Sequence, residues 1–177
     1  MRTQLSAIVL ASLFLAGAPS QGAAQGHGAA HEDQLSPQTR QQLAALRVAT
    51  AQYHDFDAAT QPGLWEVPVP STLECLEGAT GGMGYHFVNP NNFGVLDPTR
   101  PQALVYEPNP DGSMQLVAAE FIVNDIPESG PAPELFGQAY HWNERFQIWA
   151  LHAWVWRGNP DGVFADYNPI VSCRYEF

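Results

Sequence analysis

Prolines and glycines divide the second part of this chain into short apolar segments, and this division limits the fold more than any other feature. The chain contains 15 prolines and 15 glycines among its 177 residues. Apolar segments of roughly four to eight residues between such turn residues are typical of β-strands. From residue 61 onward we therefore predict an antiparallel sheet whose consecutive strands are joined by turns and loops.

Four segments carry the strand prediction. Residues 102–107 and 114–124 flank the sequence Asn-Pro-Asp-Gly at 109–112, in which proline presets φ and Asp-Gly accepts a positive φ. These two segments therefore predict a hairpin. Residues 84–89 predict another strand, and the aromatic segment 146–157 predicts a long one, because Trp and Val favour a pleated surface.

A single long helix is predicted before the strands. Ser36 is a suitable N-cap and Pro37 a favourable first helical residue. Apolar residues then recur at helical spacing to about Ala59, and Gly63 ends the pattern. The predicted fold class is α+β, with one N-terminal helix packed on an antiparallel β-meander of four or five strands. A sheet curled into a small barrel is the main variant.

The remaining stretches are rich in proline and glycine. Residues 61–82 and 125–145 are predicted to be loops, and residues 169–173 a short edge strand. In an oxidising compartment Cys75 and Cys173 are expected to form a disulfide. The alternative, two free thiols, lacks the Cys-x-x-Cys spacing of redox or metal chemistry.

The N-terminus has the parts of a secretory signal peptide. Arg2 precedes an apolar run over residues 5–16, which is shorter than the roughly 20 residues that span a bilayer, and small residues follow it. We predict a signal peptide over 1–24, a disordered tail over 25–35 and a single globular domain over 36–177. The alternative for the apolar run is a buried core helix. Export would place the mature protein in the periplasm or outside the cell, without a transmembrane anchor after cleavage.

The mature chain would be strongly acidic and has no lysine. Without Arg2 it has six arginines against eighteen acidic residues, a formal charge of −12. Such a charge repels phosphate backbones, so a nucleic acid is not expected as a partner. The absence of lysine excludes Schiff-base chemistry and a phosphate-binding P-loop. A metal ion or a small molecule is the expected partner.

Histidines and one glutamate in the strand segments suggest a metal site. Glu120 alternates with Leu116, Ala118 and Ile122, which predicts a carboxylate on an otherwise apolar face. A buried carboxylate needs a partner. If neighbouring strands carry them, His86, Glu120 and His152 converge, and His141 joins them from the preceding loop. Imidazoles with a carboxylate suit Zn²⁺, Fe²⁺ or Cu²⁺. The alternative is that each histidine is an ordinary core or surface residue.

Other functions remain open at this point. An aromatic pocket for a sugar or apolar ligand would be lined by Tyr85, Trp142, Trp154 and Trp156, although such rings more often fill a core. A structural module of the cell envelope without any site is a third interpretation. A glycosidase-type pair of Glu107 and Glu120 is disfavoured, because Glu107 ends its strand beside a turn and is expected to face water.

Several segments resemble a family of exported bacterial proteins for which no activity is established. The resemblance covers most of the mature chain from about Val48 and implies a shared fold, but it implies no reaction or ligand. The segments that carry it are MGYHFVNP at 83–90, LDPTRP at 96–101, VYEP at 105–108, LFGQ at 135–138, LHAWVW at 151–156 and NPDGVFADYNP at 159–169, running on to Cys173.

Overall fold

The computed structural model describes residues 34–66 and 74–176. The predicted signal peptide and almost all of the predicted tail lie outside the described residues. Within the described ranges, no helix is both long enough and apolar enough to cross a membrane.

The N-terminal helix begins where the sequence predicts it but is interrupted near residue 50. Helix α1 covers Pro37–Thr50, a 3₁₀ turn covers Ala51–His54, and a short helix, α2, covers Phe56–Ala59. The Ser36 hydroxyl accepts a hydrogen bond from the Thr39 amide, as an N-cap should. After the 3₁₀ turn, the Asp55 carboxylate accepts a hydrogen bond from the Ala58 amide and so caps α2 as a separate helix.

A curled antiparallel sheet of six strands, in the order β1-β2-β3-β4-β8-β7, forms a half-barrel. A separate pair, β5 and β6, lies between β4 and β7 in sequence. The strands are β1 Leu76–Gly78, β2 Gly81–Val88, β3 Ala103–Pro108, β4 Met114–Val123, β5 Glu134–Leu135, β6 Gln138–Ala139, β7 His141–Asn143 and β8 Ile148–Ala153.

The predicted α+β class is confirmed, but the strand count of four or five is too low. Strand β1 lies in the predicted loop 61–82, and β5 to β7 lie in the predicted loop 125–145. These strands have only two or three residues, so no alternation marks them in the sequence. The meander is also incomplete, because β4 pairs with β8 rather than with the next strand along the chain.

The C-terminal segment is attached to the sheet without becoming a strand. The predicted strand 146–157 ends at Ala153, and the amide of Trp154 donates to the carbonyl of Val163 instead. The predicted edge strand 169–173 is wrong, because these residues form turns and irregular backbone, and the segment is held to β2 through the Gly82 amide, which donates to the carbonyls of Asn168 and Val171. The predicted disulfide between Cys75 and Cys173 is present and fastens this segment beside β1.

The sheet separates two apolar regions. On one face, α1 packs through Leu43 and Leu46 onto a large core that contains Tyr106, Phe121 and Leu151. The opposite face carries two smaller clusters of buried residues, which are Val105, Val117, Ala118, Trp154 and Val171 at one end and Val88, Ala103 and Ile122 at the other. The second face therefore has small side chains at its centre, and no part of α1 covers it.

A β-bulge changes which side chains reach this second face. The pairing of β3 with β4 shifts by one residue, so that Val105 lies opposite Ala118 while Tyr106 lies opposite Leu116. The sequence predicted that Leu116 shares a face with Glu120. This is wrong, because the extra residue reverses the alternation and Leu116 packs in the helix-side core.

Candidate metal centre

Strand pairing brings His86, Glu120 and His152 together on the face of the sheet opposite α1. Glu120 on β4 lies directly opposite His152 on β8. His86 lies on β2, one strand beyond β3. The β3 residues on this face are Ala103 and Val105. Because their side chains are short, the His86 ring can reach across β3 to the glutamate.

The three side chains bring four potential ligand atoms together, namely the two Nε2 atoms and both carboxylate oxygens of Glu120. Nε2 of His86 lies 3.3 Å from Nε2 of His152. The Glu120 carboxylate places Oε2 at 3.5 Å from the first imidazole and Oε1 at 3.6 Å from the second. Ligand atoms held about 2.0–2.2 Å from one ion at tetrahedral angles are about 3.3–3.6 Å apart. The group is therefore close enough to hold a metal ion.

Burial controls the protonation of the group. Removal from water, with a smaller contribution from the Asp166 charge, raises the pKa of Glu120 to about 8. Burial lowers the pKa of His86 to about 4, although the nearby Gly84 backbone opposes this shift. The pKa of His152 falls well below its usual value because of burial and then because of repulsion from His86 and His141. At neutral pH the ion-free group is thus a protonated carboxyl with two neutral imidazoles.

In the part of the chain that the structure describes, no arginine pairs with the buried carboxylate of Glu120. Among the described residues, the ion-pair partners of Glu120 are the two imidazoles alone. The chain has no lysine that could take their place. Neither Nδ1 atom, of His86 or of His152, makes a hydrogen bond of normal geometry within the described residues. The site therefore buries a group that ionises poorly unless a cation joins it.

A cavity of about 370 Å³ opens beside the group, with His86 and Glu120 on its wall. His152 lies deeper, stacked on the Trp154 ring with centroids 5.7 Å apart. The cavity carries a few polar groups, namely Asn124, Asn143 and Glu66. The rest of its lining is mainly apolar and includes Met83, Val88, Phe93, Ile122, Phe146 and Ile148. An ion held by the three ligands would be reached from this cavity.

His141, the fourth predicted ligand, does not join the group. It lies in β7 opposite Ala150, on the same face as His152, but its side chain is exposed. Its Nδ1 atom is 2.8 Å from Oδ1 of Asp166. Asp166 was not predicted, since a lone aspartate in a loop has no pattern that links it to a histidine 25 residues away.

The four aromatic residues proposed to line a ligand pocket are dispersed. Tyr85 borders a second, open cavity near His54. Trp142 packs on Trp149 in the helix-side core. Trp156 belongs to the same core and donates from Nε1 to the Thr50 hydroxyl, whereas Trp154 lies on the opposite face. Trp142, Trp154 and Trp156 border neither of these two cavities.

Glu107 does not face water as the sequence predicted. Its side chain is only 12% exposed and accepts a hydrogen bond from the Ser172 amide, with Arg157 at 3.8 Å. The C-terminal segment, whose return to this strand is not visible in the sequence, covers it. This carboxylate therefore binds the C-terminal segment rather than pairing with Glu120.

No protein-family model, curated protein or solved structure matches this chain. Its class is defined by its own fold and site: a disulfide-bonded α+β domain that carries two histidines and one glutamate on the face of its sheet opposite α1.

Proposed function

We propose that this is an exported metal-binding protein in which His86, Glu120 and His152 hold one divalent transition-metal ion. The observation that carries the proposal is the convergence of His86, Glu120 and His152: the two Nε2 atoms are 3.3 Å apart, each has a different Glu120 oxygen at 3.5–3.6 Å, and one ligand atom from each residue lies within 4.8 Å of the others. Its members come from three different strands and are buried together. Such an arrangement costs free energy in the ion-free protein, because a carboxyl group loses its hydration without gaining a cation. A bound ion would offset that cost.

The ligand types narrow the choice of ion. Two neutral imidazoles with one carboxylate suit Zn²⁺, Fe²⁺ or Cu²⁺, whereas Mg²⁺ and Ca²⁺ prefer oxygen ligands. The spacing of the donor atoms fits tetrahedral Zn²⁺. Three protein ligands leave a fourth position open, which is the arrangement of catalytic rather than structural zinc sites. An ion here would act as a Lewis acid on a molecule in the adjoining cavity.

The proposed export rests on the N-terminal sequence and is compatible with the disulfide. A basic residue, a short apolar run and small residues precede the folded domain. A disulfide that closes a loop across 98 positions persists in an oxidising compartment. We therefore propose the periplasm or the extracellular space as the place where the protein acquires its ion.

Metal analysis of protein purified without a histidine tag tests the proposal. We expect about one Zn²⁺, Fe²⁺ or Cu²⁺ per chain, and loss of that ion in a His86→Ala/His152→Ala double variant. His54→Ala is the matched control, because His54 is exposed in the helical region and should leave the metal content unchanged. Circular dichroism establishes that both variants fold. A metal-free wild-type protein that gains no thermal stability from any of these ions contradicts the proposal.

A second candidate function is binding of an apolar molecule without a metal. The largely apolar lining of the cavity favours it. In that case an apolar ligand would stabilise the protein equally with and without a chelator, and metal analysis would find no bound ion.

A further inference from the structure

We propose that the cavity takes a small ligand with a monoanionic oxygen head and a short apolar tail, such as a medium-chain carboxylate or hydroxamate. The head would occupy the open position of the metal, and the tail would lie against the apolar wall. This inference rests on the proposed function, since the metal supplies the charge that attracts the head.

The negative charge of the ligand's head group follows from the charges at the site. A divalent ion with two neutral imidazoles and one carboxylate has a net charge of +1, which one monoanionic ligand neutralises. Among the described residues, none that lines the cavity is an arginine, so a bound metal would be the cationic group that attracts an anion there. Glu66, the other acidic residue of the lining, is exposed at the edge and accepts a hydrogen bond from the Gly63 amide.

The length of the tail follows from alternation along β4. Glu120, Ile122 and Asn124 all border the cavity. Alternate residues of an antiparallel strand are about 7 Å apart. From the metal outward, the cavity therefore has an apolar zone about 7 Å from Glu120, followed by the Asn124 amide just beyond the end of β4. Its volume lies near the lower limit of small-molecule pockets, which is roughly 300 Å³. These dimensions suit a tail of about five carbons that ends before the polar edge.

Hydroxamates of two lengths test this ligand class. Protein loaded with Co²⁺ or Zn²⁺ is titrated with acetohydroxamate and with hexanohydroxamate, and the Co²⁺ absorption spectrum or the heat of binding is followed. Each buried methylene contributes about fourfold in affinity. We expect hexanohydroxamate to bind at least tenfold more tightly than acetohydroxamate, and both to lose their binding after the metal is removed.

A variant of the apolar wall measures the contribution of the ligand's tail to affinity separately from that of its head. Ile148→Asn should abolish most of the preference for the longer hydroxamate while retaining both the metal and acetohydroxamate binding. Val48→Asn is the control, because Val48 is 81% exposed on α1 and should change neither property. Metal content is measured for each protein after titration, so that chelation by the hydroxamate is recognised.

The outcomes distinguish this inference from the proposed function. A protein that binds no metal refutes the proposed function and this inference with it. If the metal-loaded protein binds both hydroxamates equally, the proposed function stands, but the proposed binding of an apolar tail in the cavity is wrong. If hexanohydroxamate binds equally well with and without a chelator, the metal does not hold its head group. If the metal-free protein binds hexylamine in preference to hexanohydroxamate, the proposed anionic head group is wrong.

Discussion

Nε2 of His86 lies 3.3 Å from Nε2 of His152, although 66 residues separate them in the chain. Two neutral imidazoles can share only one proton across such a contact, and Glu120 approaches both of the same nitrogen atoms. The three side chains thus bring their Nε2 and carboxyl oxygen atoms into one small region. This convergence is the basis of the predictions on metal binding.

Metal binding should release close to one proton per ion at pH 7. Because the pKa of Glu120 is raised to about 8, its carboxyl is protonated in the ion-free protein and must lose that proton to become a ligand. The apparent affinity should rise about tenfold per pH unit below pH 8 and level off above it. Titration calorimetry in buffers of different ionisation enthalpy measures the release. The same release in Glu120→Gln would contradict this assignment.

In the presence of chelator, Glu120 should make the protein less stable as the pH rises. Its pKa is about 8 in the folded state against 4.5 in the unfolded chain, so the unfolded chain ionises first and its population is favoured over that interval. Between pH 5 and pH 8, wild-type protein should lose about 1.4 kcal/mol of unfolding free energy per pH unit relative to Glu120→Gln. Urea unfolding at several pH values checks this. Parallel pH profiles of the two proteins would refute it.

Gly82→Ala should destabilise the attachment of the C-terminal segment. A Cβ at Gly82 would lie 2.6 Å from the carbonyl oxygen of Val171, which is backbone and cannot rotate away. We expect a loss of about 1–3 kcal/mol in the free energy of unfolding, comparable to overpacking a core. Gly158→Ala is the matched control, since a Cβ there contacts nothing within 4 Å. Equal stability of the two variants in urea unfolding would show that the segment is not held as described.

Removal of the disulfide should cost more than either glycine change. Cys75 and Cys173 are 98 positions apart, so their bond greatly restricts the unfolded chain. We expect Cys75→Ala/Cys173→Ala to lower the free energy of unfolding by about 2–5 kcal/mol. Thermal and urea unfolding measure the loss, and wild-type protein in reducing agent should show a similar one. Unchanged stability in both cases would mean that packing alone holds the C-terminal segment.

The sequence predicted the site in part, and the prediction failed where residues distant in the chain determine the structure. Alternation correctly placed Glu120 and Ile122 on one face, because alternation is a local property of any strand. It failed for Leu116, since a β-bulge forms through pairing with another strand and leaves no local mark. His141 was grouped with the other ligands because sequence position cannot show that Asp166 lies beside it.

Local interactions allowed the sequence by itself to determine the start of α1 at Pro37 and the turn at 109–112 that joins β3 to β4. An N-cap and an Asp-Gly turn act within a few residues, so their effect does not depend on the rest of the molecule. Tertiary structure alone decided that β8 pairs with β4, which sets His152 opposite Glu120. That pairing depends on closing a long loop and on which apolar faces are buried together, and both are properties of the whole domain.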